Sequence, residues 1–225
     1  MRRTFVLVVI GVVQVGLFAG LASAGVLDFT DDFDSFDESR WTKGDHNLGR
    51  SYLDPNNVDV TGDGNLAIKL PTRTLEGGEI MSKDLYGYGS YSANIQVPNA
   101  PSSITGFFLY YPPDYASEID IEIYNDSSRK MVIYSTYAGG RQTHDQTLKL
   151  PFDPTAGFHE YRFEYAPGSL KFYADDRLMR EWTDGLPDNS MRLYVNAWFP
   201  RWLQGREPRT DKFILVDQIR HVQQQ

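Results

Sequence analysis

The chain has 225 residues, a net charge of −8 and no cysteine. No disulfide can form, and the acidic balance argues against nucleic acid and anionic lipid, both of which select for basic patches. Fourteen Tyr, thirteen Phe and four Trp stand beside nineteen Gly and twelve Pro; short aromatic and β-branched runs parted by turn residues indicate an all-β sandwich or barrel.

Met1-Arg2-Arg3 is a positive start, Phe5 to Leu21 is almost wholly apolar, and Ala22-Ser23-Ala24 offers small residues for cleavage. Residues 1–24 therefore read as a secretory signal peptide, and the product as secreted, extracellular or periplasmic. The apolar run is also long enough for an uncleaved anchor. Once cleaved, the protein has no stable membrane insertion. Residues 25–225 are enough for a single domain with a full core, and a monomer is expected.

The predicted strands follow in order. Val26 to Phe33 alternates into an acidic turn, and Trp41 reads as a core anchor. Asn56 to Val60 and Leu66 to Leu70 flank a Gly62-Asp63-Gly64-Asn65 hairpin turn. Glu79 to Lys83 and Gly87 to Val97 come next, then Gly106 to Tyr111, a nearly continuous apolar run expected of a strand covered on both faces. Pro112-Pro113-Asp114 turns that run into Ser117–Tyr124, which places Tyr110 near its neighbour's polar face. Lys130 to Tyr137, Phe158 to Tyr165, Leu170 to Ala174, Leu178 to Trp182, Met191 to Trp198 and Phe213 to Val222 complete the set, with an irregular segment from Phe199 to Arg209. About a dozen short strands suggest two packed antiparallel sheets.

The chemistry concentrates in Glu118-Ile119-Asp120-Ile121-Glu122-Ile123. Successive strand side chains point to opposite faces, so three carboxylates share one face and three isoleucines the other. Like charges this close repel and raise one another's pKa. A solvated acidic face is the plain alternative, but such faces usually mix Thr, Lys, Arg and Ser, and this one is ringed by Phe107, Phe108, Tyr110, Tyr111, Tyr115 and Tyr124. Two long carboxylate side chains leaning together suit retaining glycoside hydrolysis, which needs carboxyls about 5–5.5 Å apart, one a nucleophile and one a general acid/base. Asp120, between them, would keep the two pKa values apart. Spacing alone does not assign the nucleophile. Ca²⁺ binding fits less well, because calcium ligands come mainly from loops. A carbohydrate-binding module shares the architecture and stays open at this level. No nucleophilic triad or phosphate loop is evident; His46, His144, His159 and His221 are scattered, and His159 reads as structural.

Glu118-Ile119-Asp120-Ile121-Glu122 resembles the catalytic signature of glycoside hydrolase family 16, in the regular-strand Glu-x-Asp-x-Glu form of bacterial lichenases and xyloglucan-active members. Leu85 to Tyr91, Phe152 to Tyr161, Tyr165 to Tyr173 and Asn196-Ala197-Trp198 are similar to further family segments. The resemblance spans roughly residues 30–222.

It implies a β-sandwich jelly roll of two curved antiparallel sheets with a concave substrate cleft, and a secreted retaining endo-β-glycosidase acting on a polysaccharide, β-1,3/1,4-glucan above all. By position Glu118 would be the nucleophile, Glu122 the acid/base and Asp120 the assisting carboxylate. The crowding would keep Glu122 protonated while Glu118 stays ionised. Trp198 would stack on a sugar ring and Asn196 would hydrogen-bond near the cleaved unit. No cofactor is required for catalysis, although a structural Ca²⁺ at Asp217, helped by a backbone carbonyl near Gly62 or Gly64, is part of the family pattern. Two departures bear on substrate choice. Ala116 stands where lichenases have Trp, leaving Tyr115 to compensate, and Gly49 to Leu53 replaces a Phe-Asn-Cys-Thr-Trp segment, so that Arg50 would bring a guanidinium to the cleft wall. A transglycosylase of the same fold and a non-catalytic lectin-like module are the alternative outcomes.

Overall fold

The alternation in residues 118–123 is realised as a strand whose two faces meet different surroundings. A computed structural model describes residues 28–224, so the proposed signal peptide and the first residues of the Val26–Phe33 run lie outside the described residues. The described chain is strand-rich. In order come β1 (Phe29–Asp31), β2 (Trp41–Lys43), β3 (His46–Leu48), β4 (Ser51–Leu53), β5 (Val58–Val60) and β6 (Leu66–Leu70). Then follow β7 (Gly78–Ser82), β8 (Gly89–Gln96), β9 (Ile104–Tyr111), β10 (Ser117–Tyr124), β11 (Met131–Ala138) and β12 (Arg141–Lys149). The last five are β13 (His159–Ala166), β14 (Ser169–Ala174), β15 (Arg177–Trp182), β16 (Arg192–Trp198) and β17 (Lys212–Gln223). No helix among the described residues is long and apolar enough to cross a membrane.

The strands form two large antiparallel sheets, the jelly-roll sandwich. One has the order β12-β11-β10-β9-β16-β7-β2; the other runs β15-β14-β13-β8-β17-β6-β5, with β1 paired to β17. Strands β3 and β4 make a separate hairpin. Ile119, Ile121 and Ile123 are fully buried between the sheets, each worth about 2–3 kcal/mol of apolar transfer. Aromatic pairs tie the layers together: Phe107 of β9 meets Phe163 of β13 at 5.4 Å, and Tyr134 of β11 meets Phe172 of β14 at 4.7 Å between ring centroids. Trp41 is buried, as expected of an anchor. His159 stacks on Phe152 and pairs through Nδ1 with Asp175 at 2.7 Å, a structural arrangement.

The expected strands shift in places. Pro55–Asn57 forms a 3-10 turn, capped by the Asp54 side chain on the Asn56 N–H, so the strand expected from Asn56 starts at Val58. Strands β2, β3 and β4 have no counterpart among the expected strands, and neither has the edge strand β12. Its Arg-Gln-Thr-His-Asp-Gln-Thr-Leu-Lys run is almost wholly polar, because an edge strand with wet faces needs no apolar alternation.

A buried histidine lies outside the cleft. His221 on β17 sits among Phe29, Tyr86 and Tyr91, neither ring nitrogen has a partner, and burial pushes its pKa down to about 4. A histidine held neutral must take up its proton on unfolding. Its contribution is therefore fully present above the unfolded value near 6.5 and is lost as pH falls towards 4, by about 3 kcal/mol in all. In denaturant titrations, His221→Leu should lose less stability than wild type between pH 7 and pH 4 by about that amount; because only this residue differs, other titrating groups cancel in the comparison.

Candidate active site

β10 lies between β9 and β11, and its polar face forms the floor of a cleft of about 730 Å³. The register sets each carboxylate against known neighbours. Glu118 opposes Tyr110 and Tyr137, Asp120 opposes Phe108 and Ser135, and Glu122 opposes Gly106 and Ile133. The cleft brings Glu118, Asp120, Glu122, Tyr110, Tyr115, Asn196 and Trp198 together on one surface.

Asp120 is buried and accepts a hydrogen bond from Ser135 Oγ at 2.7 Å. It also shares a hydrogen bond with Glu118, which favours the ionised form of Glu118 and the protonated form of Asp120. Burial is the largest influence on all three groups. It pushes Asp120 well above the ordinary carboxylate range and raises Glu118 to about 7. Glu122 rises to about 7 through burial and then through repulsion from Glu118 and Asp145. Crowding by itself therefore does not separate the two glutamates. What distinguishes them is the Asp120 hydrogen bond, which Glu118 has and for which Glu122 has no counterpart.

Tyr115 stands at the Glu118 end, more than half exposed, with its ring 5.4 Å from that of Tyr137. Its φ of +66° is a left-handed backbone that a non-glycine residue adopts at a cost of about 1 kcal/mol. Backbone bonds from Ala116 to Pro113, Gly139 to Ala116 and Gly140 to Tyr115 hold the turn in place. Tyr110 donates to Asp114 at 2.9 Å beside it. At the other end, Trp202 is about half exposed and meets Tyr124 edge-on at 5.8 Å.

Arg50 does not reach the cleft wall. Its guanidinium donates to the carbonyls of Pro200, Gly205, Leu203 and Ser102 at 2.8–3.3 Å, and it is absent from the cleft lining. Three carbonyls of the irregular segment and one of the loop before β9 need donors, and one planar guanidinium satisfies them together. The expected sugar contact is thus a clamp on the loop that carries Trp202. Asp217 lies at a register shift in β17, exposed, and accepts from Asn94 Nδ2 at 2.9 Å. Among the described residues no three His, Cys, Asp or Glu side chains gather as a metal cage. A cation there would have one carboxylate and otherwise backbone carbonyls and water.

The cleft also contains residues the sequence reading did not single out for it: His46, Asn47, Leu48, Glu79, Ser135, Tyr137, Tyr194 and Trp202. Tyr194 shares strand parity with Asn196 and Trp198, so alternation carried that signal. Glu79 was visible only as a lone acid in the otherwise uncharged Gly78–Ser82 run. It is buried, takes a hydrogen bond from Asn196 Nδ2 at 3.1 Å, and has His46 Nε2 at 3.0 Å. Trp202 falls in the irregular segment, where no period exists to read.

The family model described as "Glycosyl hydrolases family 16" matches residues 49–211. A beta-glucanase of Paenibacillus polymyxa is 30% identical over 207 residues, covering 88% of this chain and 86% of its own. A beta-glucanase of Bacillus subtilis (strain 168) is 29% identical over 211 residues, with 88% and 86% covered. The solved structure of Bacillus licheniformis beta-glucanase superposes with a TM-score of 0.81 at 25% identity, covering 88% of this chain and 99% of that one. With its signature carboxylates on the floor of the cleft of a two-sheet sandwich, the chain belongs to glycosyl hydrolases family 16 and is a glycoside hydrolase acting on O-glycosyl bonds.

Proposed function

We propose that the protein is a secreted retaining endo-β-glucanase acting on mixed-linkage β-1,3/1,4-glucan. The observation that carries this reading is the Glu118–Asp120–Glu122 face on the floor of the cleft. The similar beta-glucanases of Paenibacillus and Bacillus support the substrate class, and residues 1–24 support export.

In the first step the Glu118 carboxylate attacks the anomeric carbon while the glycosidic C–O bond breaks. Glu122, protonated, gives its proton to the departing oxygen. In the second, Glu122 takes a proton from water as that water attacks the anomeric carbon and releases Glu118. The hydrogen bond with Asp120 favours the ionised form of Glu118 and so works against the burial that raises it. Tyr110, Tyr115, Asn196 and Trp198 line the path of the chain. Their mixture of rings and hydrogen-bonding groups suits a neutral sugar polymer.

Glu118→Gln should lower turnover on barley glucan by at least about 10³-fold. It should also raise the melting temperature at pH 7. A carboxyl whose folded pKa is raised contributes stability below its unfolded value and loses it as pH rises through about 7, so the amide removes a penalty. A variant that still releases reducing sugar at the wild-type rate would sink the reading.

The pH profile offers a separate check. Because Glu122 must be protonated to assist departure, kcat/KM should fall as pH rises through about 7. Glu122→Ala should retain reaction with a glycoside whose leaving group needs no proton, and added azide should then yield a β-glycosyl azide; an α product would overturn the assignment of Glu122 as the acid/base.

A structural Ca²⁺ at Asp217 belongs to the same proposal. A chelator should then lower the melting temperature of the wild type and leave Asp217→Asn unchanged; equal melting curves for the wild type with and without chelator would remove the ion from the account.

A further inference from the structure

The cleft holds a further buried carboxylate, which the double displacement does not use. Glu79 lies on β7, two strands beyond β9, in the same cross-strand row as Glu122, Gly106 and Asn196. Its environment is built closely around it. Gly44 donates its N–H to the Glu79 carbonyl at 2.9 Å, and a Cβ on Gly44 would stand 2.8 Å from Glu79 Cβ and 2.9 Å from Oε1. A side chain at residue 44 would displace this carboxylate.

The partners of Glu79 have defined chemical senses. A carboxylate only accepts, so Asn196 must turn its Nδ2 towards it, at 3.1 Å from Oε2. That leaves Asn196 Oδ1 as a buried acceptor with no partner, on the side facing Gly106 and Glu122. A Cβ on Gly106 would lie only 2.7 Å from it. On the other side, His46 Nε2 is 3.0 Å from Glu79 Oε1 and Nδ1 is 3.3 Å from the Asn47 carbonyl. Both ring nitrogens face acceptors, an arrangement only the imidazolium satisfies in full. The charged groups around the ring are Asp45 on its own segment and Glu79 on β7, with Tyr194 on β16 next to Glu79.

We propose that His46, as an imidazolium, is a positioning residue for substrate: it fixes Glu79, Glu79 fixes the Asn196 amide, and Asn196 Oδ1 then accepts a hydrogen bond from a sugar hydroxyl beside Glu122. The inference rests on the β-glucanase reading for its ligand but concerns residues outside the catalytic carboxylates. Because the ring is half exposed, its proton exchanges with solvent and the relay responds to pH. Glu79 bonding raises the pKa of His46 above the ordinary 6.5. The relay is therefore intact at lower pH and weakens as pH rises through that raised value.

The test measures binding of a mixed-linkage glucan tetrasaccharide to the inactive Glu118→Gln protein by calorimetry from pH 5.5 to 8.5, and KM and kcat on barley glucan in the active background. His46→Gln should weaken binding at pH 6 about fivefold, the loss of one charge-assisted bond, raise KM in step and change kcat less than twofold. His46→Lys, which keeps the charge, should bind within twofold of the parent and lose the weakening at high pH. Thermal melting of each variant checks the fold, and His46→Lys keeps the test usable if His46→Gln is unstable. The proposal is overturned if His46→Gln binds as tightly as its parent at pH 6, or if either variant keeps the parent's pH dependence. If the wild type neither cleaves barley glucan nor binds the tetrasaccharide, the β-glucanase reading fails instead, and the two failures are thus told apart.

Discussion

The structure is governed by the cost of gathering three carboxyl groups on one face of one strand. In water such groups would ionise independently. On β10 they are desolvated and crowded, and burial raises all three above their ordinary range. That penalty is tolerable because the opposite face of the same strand contributes three fully buried isoleucines to the inter-sheet core. Pairing with β9 and β11 along its length fixes the backbone, so the side chains cannot separate by bending the strand. Destabilisation at the cleft and stabilisation in the core thus come from alternate residues of the same eight, a common arrangement where a site needs strained electrostatics.

Within that frame the arrangement is transverse. Glu122, Gly106, Asn196 and Glu79 come from four strands that neighbour one another in the sheet but are far apart in the chain. Antiparallel register sets them in one row. Gly106 keeps the row open, because any side chain there would meet the Asn196 oxygen. Glu122 and Glu79 therefore stand at the two ends of one row, with the Asn196 amide between them and bonded to Glu79.

Loops complete the cleft by a different principle. The irregular segment after β16 has carbonyls that no sheet ladder can satisfy, and Arg50 binds four carbonyls in and around it. Reading Arg50 as a sugar ligand followed from its charge and its place next to a cleft segment. Its actual role depends on backbone groups 52 to 155 residues away, which no local pattern reveals. The same limit hid His46, whose partner Glu79 is 33 residues on and carries no sequence mark beyond being a lone acid among uncharged neighbours. β12 escaped notice for the reverse reason: a wet edge strand has no apolar period to detect.

What the sequence by itself determined is whatever depends on period and spacing. A two-residue alternation assigns Glu118, Asp120 and Glu122 to one face and the isoleucines to the other, and the aromatic runs parted by turn residues specify a two-sheet β architecture. Those properties are local to each strand and survive any arrangement of the remainder. Only the tertiary structure decided which distant strands share a row, which glutamate receives the Asp120 hydrogen bond, and whether a charged side chain faces sugar or backbone. These depend on register and on hydrogen-bond satisfaction between segments far apart in the chain, quantities that exist only once the sheets have closed.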